Sequence, residues 1–402
     1  MMNKKKCKIC LEQTHLKSFI KFGDFPYANF PVNFTKFQKY IIKKKLVDKI
    51  YSKLDLLACY NCNYLVLDKK PNEKILNDIY EKFYTYPSPL EGNFIPVRDD
   101  KFLSIFLKNE TKNRMKSVLE VGCYDGYILH QLKKEGYKVE GCEPSDGADI
   151  ANSHDLKVYK GFFNKKKFFK KKYDYVLIRH TLEHIYDLKK IIIDLKYIMN
   201  SDSKLVIEVP NISYYLKKGL LEVFSLQHIH YFSIKTFLNI AKKFNLDLIN
   251  HYETPENLII FFKKKQTKIL DYKIDHKINF KKFEKKVLFN QTKINRIINN
   301  SNYNNVVFWG AGGFAFSAIY LYKIKINENS KFVDRDKKKQ NLFFYDNKIK
   351  ISSIESLKKT KPDLIVITSY YSSIILNEIK KLKISIDVMT IFPKIMIKRF
   401  RN

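Results

Sequence analysis

The amino-acid sequence predicts an α/β protein with a small metal-held segment near its start and two doubly wound, parallel-sheet units behind it. Two Cys-x-x-Cys knuckles, Cys7–Cys10 and Cys59–Cys62, fall within the first 62 residues. From about residue 100 onward, apolar strand-like runs alternate with amphipathic stretches, the pattern of strands crossed by helices. Twice, a strand runs straight into a glycine-rich turn and then a helix, at Gly122–Gly126 and at Gly310–Gly313.

The knuckles place four thiolates, on Cys7, Cys10, Cys59 and Cys62, on two turns that can point inward, as tetrahedral Zn2+ requires. With Cys at all four positions no coordination place stays open. The metal therefore reads as structural, holding a segment too small to bury much core. Six cysteines in 402 residues are too few for a disulfide scaffold, and Cys123 and Cys142 read as small core residues. A turn-rich stretch, Phe83-Tyr84-Thr85-Tyr86-Pro87-Ser88-Pro89, closes this segment.

Ser117–Val121, Lys138–Gly141, Tyr173–Ile178 and Lys204–Val209 then read as strands. Residues 127–135, 147–154 and 185–199 carry helical spacing, with Leu188, Ile191, Ile192 and Leu195 on one face. Residues 262–300, rich in Lys and Asn with apolar residues at helical intervals, read as one or two connecting helices. The second unit begins with strand Asn305–Trp309, whose glycine turn leads into a helix through Tyr322. Strands Lys331–Asp334 and Asp363–Thr368 follow. The expected division is 1–90, 91–262 and 263–402.

Hydrophobic content of 45% with 29% charged residues excludes wholesale disorder. No stretch approaches the roughly 18–20 apolar residues of a membrane span, and the basic start MMNKKKCKICLEQ lacks the apolar run of a secretory signal. A cytoplasmic protein with no membrane partner is expected. The net charge of +34 points first to nucleic acid, but only seven of the 75 basic residues are arginine. Specific phosphate recognition favours the guanidinium fork, so the lysines read as solvated surface and no nucleic-acid partner is expected. Such charge still steers anionic substrates toward a cleft.

Within the first glycine turn, Gly122 allows a tight exit from the strand, and Gly126 lets the helix start close to a ligand. Twenty-one residues beyond Gly122, Glu143 ends the second strand ahead of Pro144. A carboxylate there accepts hydrogen bonds from two ribose hydroxyls, which describes an adenosine-type site. Dinucleotides and S-adenosylmethionine both use this geometry. A pyrophosphate needs a helix N-terminus free of negative charge, yet Glu120 and Asp125 flank and occupy the turn. Two carboxylates suit an ammonium and a sulfonium, which favours S-adenosylmethionine.

The segments Glu120-Val121-Gly122-x-x-Asp125-Gly126-x-x-Leu129, Gly141-x-Glu143-Pro144 and Arg179–Asp187 resemble the Rossmann-like core of a class I methyltransferase. In order, nearly the whole chain resembles the three-domain sugar C-methyltransferases. Those proteins carry an N-terminal four-cysteine zinc domain, a class I methyltransferase core and a C-terminal Rossmann-like domain. Besides the knuckles, the match rests on Tyr84-x-Tyr86-x-Ser88, Glu208-Val209-Pro210, the linker helices, and Gly310-x-Gly312-x-x-Ala315 with Val333-Asp334. The resemblance implies S-adenosylmethionine-dependent methyl transfer to a nucleotide-linked (keto)sugar, for surface polysaccharide synthesis, with a structural Zn2+. It implies that Glu120, Gly122, Asp125, Gly126, Glu143, Pro144, Phe163 and His180 hold the cofactor. It places Tyr84, Tyr86, His184, Gly310 and Gly312 on the substrate side.

The family takes its base from a Tyr-His-Glu-His run followed by Tyr-Phe-Ser. Here the matching segment is Ser225-Leu226-Gln227-His228-Ile229-His230-Tyr231-Phe232-Ser233. His228 lands on the final histidine, the position resembling the base, and Gln227 and His230 beside it complete the catalytic candidates. An imidazole with an ordinary pKa of about 6.5 accepts a proton near neutral pH. Ser225 stands where the family has tyrosine and Gln227 where it has glutamate, and an amide is no base. Transfer to carbon and to a hydroxyl oxygen therefore both stay open.

Duller readings stand beside these. His228 and His230 can also be read as polar surface, Phe163 as core, and Tyr84 and Tyr86 as loop packing. His180 and His184, four apart, have the spacing of a metal pair. Gly310 precedes Asp334 by 24 residues, near a nicotinamide fingerprint, but no candidate hydride-transfer residues accompany it. Two further functions remain: a methyltransferase of RNA or another small molecule, and a non-catalytic nucleotide-sugar-binding protein. A monomer or homodimer is expected.

Overall fold

The computed structural model describes residues 5–10, 12, 14–27, 40, 51–84, 88–92, 97–109, 115–168, 170–254, 256–264, 278–300, 302–326, 329–337, 339–344, 349–369, 371–382, 384–392 and 394–400. The chain forms two compact units. One comprises Met1–Phe19, Leu56–Tyr214 and Gln227–Ile278, and the other Ile20–Asp55, Tyr215–Leu226 and Asn279–Asn402. The cysteine knuckles thus share a unit with the first glycine turn.

The first unit is built on a seven-stranded sheet in the spatial order Leu246–Glu253, Asn257–Lys264, Met199–Pro210, Tyr173–Arg179, Ser117–Val121, Lys138–Glu143, Val158–Lys160. Ser117–Val121 pairs in parallel with both neighbours, and the parallel run extends to Val158–Lys160 on one side and Met199–Pro210 on the other. Asn257–Lys264 then runs antiparallel, and Leu246–Glu253 antiparallel to it. A parallel sheet buried on both faces needs apolar residues at successive positions. Val118, Tyr175 and Leu177 pack on one face with Phe102, Phe106, Ile128, Leu129 and Leu132. Leu119, Val121, Val176 and Ile178 pack on the other with Ile191, Ile192, Leu195 and Phe237. The period of two in these strands sends alternate side chains to separate cores.

The expected helices appear as Tyr127–Lys134, Gly147–Ser153 and Leu188–Tyr197. The last is shorter than its pattern, because the Asp187 side chain accepts the Lys190 N–H at 3.0 Å and starts the helix there. A separate 3-10 turn, Leu182–His184, precedes it. The antiparallel strands near residue 250 have no counterpart in the expected elements. Residues 262–264 belong to the second of them rather than to a linker helix.

A smaller sheet places the knuckles. Leu56–Ala58 pairs with Leu65–Leu67, and Leu65–Val66 with His230–Tyr231. The turn between Ala58 and Leu65 carries Cys59 and Cys62, so the histidine run lies in the same sheet as the second knuckle. All four knuckle cysteines belong to the core that also holds Phe232, Ile234 and Phe237.

The second unit has its own seven-stranded sheet, in the order Phe343–Phe344, Ile349–Ser352, Lys331–Val333, Val306–Trp309, Leu364–Ile367, Ile386–Thr390, Met396–Phe400. Its central strands are parallel and its edge strands antiparallel. Helix Phe280–Ile298 occupies the later part of the expected linker, while 265–277 lie outside the described residues. Phe224 joins this unit by packing between Phe22 and Phe283, with ring centroids 5.5 and 6.0 Å away. Among the described residues, no helix is long and apolar enough to cross a membrane.

Candidate active site

Gly122 leaves its strand at φ +74°, a conformation that penalises any Cβ. A Cβ there would also lie 2.1 Å from the Thr181 Oγ1. Gly126, at φ +75°, starts helix Tyr127–Lys134, and a Cβ on it would meet Leu156 Cδ1 at 2.5 Å. Gly122 is therefore required by close approach as well as by backbone shape, and Gly126 by backbone shape. Between them, Tyr124 donates its N–H to Glu143 Oε2 at 3.1 Å, and Ser145 donates to Glu143 Oε1 at 3.0 Å. The carboxylate that ends the second strand is thus tied to the loop after the first. Each oxygen keeps a second acceptor position for a hydroxyl donor. Pro144 follows directly, and Phe163 lies one loop further on, its ring stacked on Phe168 at 5.7 Å against the core.

Asp125 also ties the chain to itself. Its Oδ1 accepts the Tyr127 N–H at 3.0 Å, and its Oδ2 accepts the Ser88 hydroxyl at 2.6 Å and the Leu90 N–H at 3.2 Å. The carboxylate clasps the 88–90 segment to the glycine loop through Oδ2, while Oδ1, with a single donor, keeps a second acceptor position. Tyr84, four residues before Ser88, sets its ring edge-on to Tyr124 at 5.8 Å. Tyr84 therefore reaches the glycine loop, whereas Tyr86 lies outside the described residues.

Arg179 closes the next strand inside a buried charge cluster that the sequence reading did not single out. Its guanidinium meets Asp99 at 2.6 Å, Glu208 at 2.8 Å and Glu120 at 3.4 Å, and lies over the Phe102 ring at 4.1 Å. Three carboxylates share one cation, and Glu120 is the weakest held. Its Oε2 has no hydrogen-bond partner among the described residues. Burial pushes the Glu120 carboxyl up to about 7 against the pull of Arg179, with Asp99 adding to the rise. For Glu208 burial also acts upward, but Arg179 prevails and holds it at about 2.

The histidines form a second cluster. His180, at φ +45°, sets Nδ1 3.7 Å from Glu183 Oε1 and Nε2 3.7 Å from Glu208 Oε1. Burial lowers its pKa, yet these two carboxylates raise it above the ordinary value. His184 has Nδ1 2.9 Å from the Gln227 carbonyl oxygen and 2.8 Å from the Tyr80 hydroxyl. A carbonyl can only accept, so Nδ1 carries the proton and Nε2 the lone pair. Burial holds His184 below the ordinary imidazole range. The His228 ring stands edge-on to His184 at 4.7 Å. Glu183, neglected in the sequence reading, lies between these histidines. Burial favours its neutral form, but His180, His184 and His228 together hold it at about 2.

His230 is not placed to take a proton. Its Nε2 donates to the Ile185 carbonyl at 2.9 Å, and Nδ1 accepts from the Tyr64 hydroxyl. With both nitrogens engaged, burial drops its pKa to about 3. His230 is a neutral core residue that joins the small sheet to its surroundings. Gln227, also buried, uses its backbone carbonyl to orient His184. His228 is the remaining candidate base in the run.

The knuckle cysteines are buried, and the sulfurs of Cys7, Cys59 and Cys62 lie within 4.8 Å of one another. Zn–S bonds of about 2.3 Å set tetrahedral S–S edges near 3.8 Å, and Cys7 Sγ lies 3.8 Å from Cys62 Sγ. The residues fit that ion. Cys10 falls outside the group of three and accepts from Asn61 Nδ2 at 2.9 Å, while its N–H donates to Cys7 Sγ at 3.3 Å.

In the second unit Gly310, at φ +104°, donates its N–H to the Val333 carbonyl at 2.9 Å. Asp334 accepts the Ala311 N–H at 2.8 Å and pairs with Lys339 at 3.1 Å. This repeats the device of Glu143, except that a lysine already occupies the carboxylate. A Cβ on Gly312 would find Lys339 Nζ, at 3.7 Å.

Residues 98–251 match the family model described as a methyltransferase domain. No curated protein sequence matches the chain. Among solved structures, the PH0226 protein from Pyrococcus horikoshii is 15% identical with a TM-score of 0.36, over 47% of this chain and 96% of its own. A SAM-dependent methyltransferase from Aquifex aeolicus is 17% identical with a TM-score of 0.35, over 45% of this chain and all of its own. Residues 98–251, which match that family model, carry the glycine loop, the Glu143 staple and the parallel sheet behind them.

Proposed function

We propose that the chain is an S-adenosylmethionine-dependent methyltransferase whose acceptor is a nucleotide-linked (keto)sugar, with transfer to carbon or oxygen, in surface polysaccharide synthesis. The observation that carries the cofactor is Glu143. It is a buried carboxylate, fixed to the glycine loop by Tyr124 and Ser145, with acceptor positions left for two ribose hydroxyls. Gly122 and Gly126 let the backbone approach the ligand, and Glu120 supplies negative charge under its ammonium. Bound there, S-adenosylmethionine supplies an electrophilic methyl group.

His228 is the residue proposed to take the acceptor's proton, with His184 beside it held in one tautomer by Gln227 and Tyr80. Tyr84 lines the same side through Tyr124. Cys7, Cys59 and Cys62, completed by Cys10 after a small side-chain turn, hold a structural Zn2+ that fastens the sheet carrying the histidine run. Three successive domains, 1–90, 91–262 and 263–402, remain the proposed functional division, with Gly310 and Gly312 proposed as nucleotide-binding positions of the last.

The test is to incubate the protein with methyl-labelled S-adenosylmethionine and a panel of nucleotide sugars, then locate the label. Calorimetry on Glu143→Ala should show cofactor affinity reduced at least about tenfold, since hydrogen bonds to a charged group contribute roughly 1.5–3 kcal/mol each. Unchanged affinity would remove the cofactor site, and label on none of the sugars would remove the acceptor.

A further inference from the structure

Glu183 is 2% exposed, and neither of its carboxylate oxygens has a hydrogen-bond partner among the described residues. A buried carboxylate left in that state is costly unless it meets a cation. Its ion-pair neighbours among the described residues are two histidine nitrogens, His180 Nδ1 at 3.7 Å and His184 Nε2 at 4.0 Å. Both distances exceed the 2.7–3.2 Å or so of an N–H···O bond. His184 directs its Nδ1–H into the Gln227 carbonyl, which leaves Nε2 as the atom turned toward Glu183. Metal-ligating histidines carry that same outer hydrogen bond, which fixes the tautomer and aims the ring. The ligand atoms of Glu183, His184 and His228 all lie within 4.8 Å of one another, and both histidines are partly exposed.

We infer that Glu183, His184 and His228 form a second metal site, taking a divalent cation of the Zn2+ or Mn2+ kind on two imidazole nitrogens and one carboxylate. Metal bonds of about 2.0–2.1 Å place tetrahedral ligand atoms roughly 3.4 Å apart. The 4.0 Å gap between Glu183 and His184 closes to that by a small side-chain rotation. The donor set contains no thiolate and is separate from the cysteine group. Two histidines and one carboxylate leave positions open for an outside oxygen ligand. Its use rests on the methyl-transfer reading. An acceptor hydroxyl held on the ion loses its proton to water more readily, leaving its oxygen to attack. In the loaded protein His228 is a ligand, and the ion replaces it in promoting that proton's departure.

The test is Co2+ titration of the as-isolated full chain, read by visible absorption and elemental analysis, without cofactor or sugar. The expected result is one Co2+ per chain beyond the metal on the cysteines, with ligand-field bands but no new near-ultraviolet thiolate band. Glu183→Gln and His228→Gln should each weaken that uptake at least tenfold, while far-ultraviolet circular dichroism and the cysteine-bound metal stay at wild-type levels. His228→Gln, at a partly exposed ring, supplies the answer should Glu183→Gln fail to fold. No uptake beyond the cysteine site, or uptake unchanged in the variant that folds, overturns the site. Label transfer to a sugar without a second metal would overturn this inference alone. A second metal without transfer to any sugar would leave it standing and overturn the acceptor assignment.

Discussion

Glu120→Gln should make the cofactor-free protein more stable at alkaline pH, although it removes a member of a buried ion cluster. The Glu120 carboxyl rises from 4.5 to about 7 in the fold. At about 1.4 kcal/mol per pKa unit, ionising it there costs roughly 3 kcal/mol more than in the open chain. Between those two values the native carboxyl holds a proton that the unfolded chain has released. Stability therefore falls as pH climbs from about 4.5 through 7 and levels off above. Glutamine has the same shape and cannot ionise, so the variant lacks this decline. Near pH 5 the two proteins should agree to within about 1 kcal/mol, and near pH 8 the variant should be more stable by up to ~3 kcal/mol. Urea unfolding followed by circular dichroism at both pH values measures the difference. A variant less stable than wild type near pH 8 by more than about 1 kcal/mol would mean that pairing with Arg179, at 3.4 Å, outweighs desolvation. The same variant should bind S-adenosylmethionine more weakly, since the charge that burdens the empty fold is the one proposed to face an ammonium.

Gly122→Ala combines a left-handed backbone at φ +74° with a Cβ 2.1 Å from Thr181 Oγ1, and should cost roughly 2–5 kcal/mol in urea unfolding. Adding Thr181→Ala should recover the steric part, and equal losses in the single and double variants would refute the contact. Arg179→Met leaves Asp99 and Glu208 without their cation and should destabilise by about 3–5 kcal/mol near pH 7, less near pH 5, because burial of Glu208, no longer opposed by Arg179, favours its protonated form. A loss that does not shrink on acidification would contradict the pairing of Glu208 with Arg179. Removing metal with a strong chelator should lower the melting temperature and expose the thiols of Cys7, Cys59 and Cys62 to a thiol reagent; thiols that stay protected would speak against a metal there.

Much of the candidate site was legible because its residues lie close together in the chain. The Gly122 turn, the helix it starts and Glu143 lie within 22 residues, and each has a conformational reason visible in residue type. Asp125 shows the limit of that reading. Its position suits a cofactor, but one of its two oxygens is held by Ser88 and Leu90, 37 and 35 residues away. His230 shows the same limit, since only the pairing of Leu65–Val66 with His230–Tyr231 brings Tyr64 to its ring. The strand Asn257–Lys264 went unread because a continuous apolar run, Leu258 to Phe262, has neither helical nor alternating period.

Sequence alone determined the glycine turns, the knuckles, the parallel strands and the order in which they occur, because those depend on backbone freedom and on the spacing of apolar side chains. Only the tertiary structure decided how charge is shared. Arg179 draws in Glu120, Asp99 and Glu208 from three different segments, and Glu183 meets His228 across 45 residues of chain. The reason is physical: a buried charge is set by whatever lies within a few ångströms of it, and that distance is fixed by the fold and not by position along the chain.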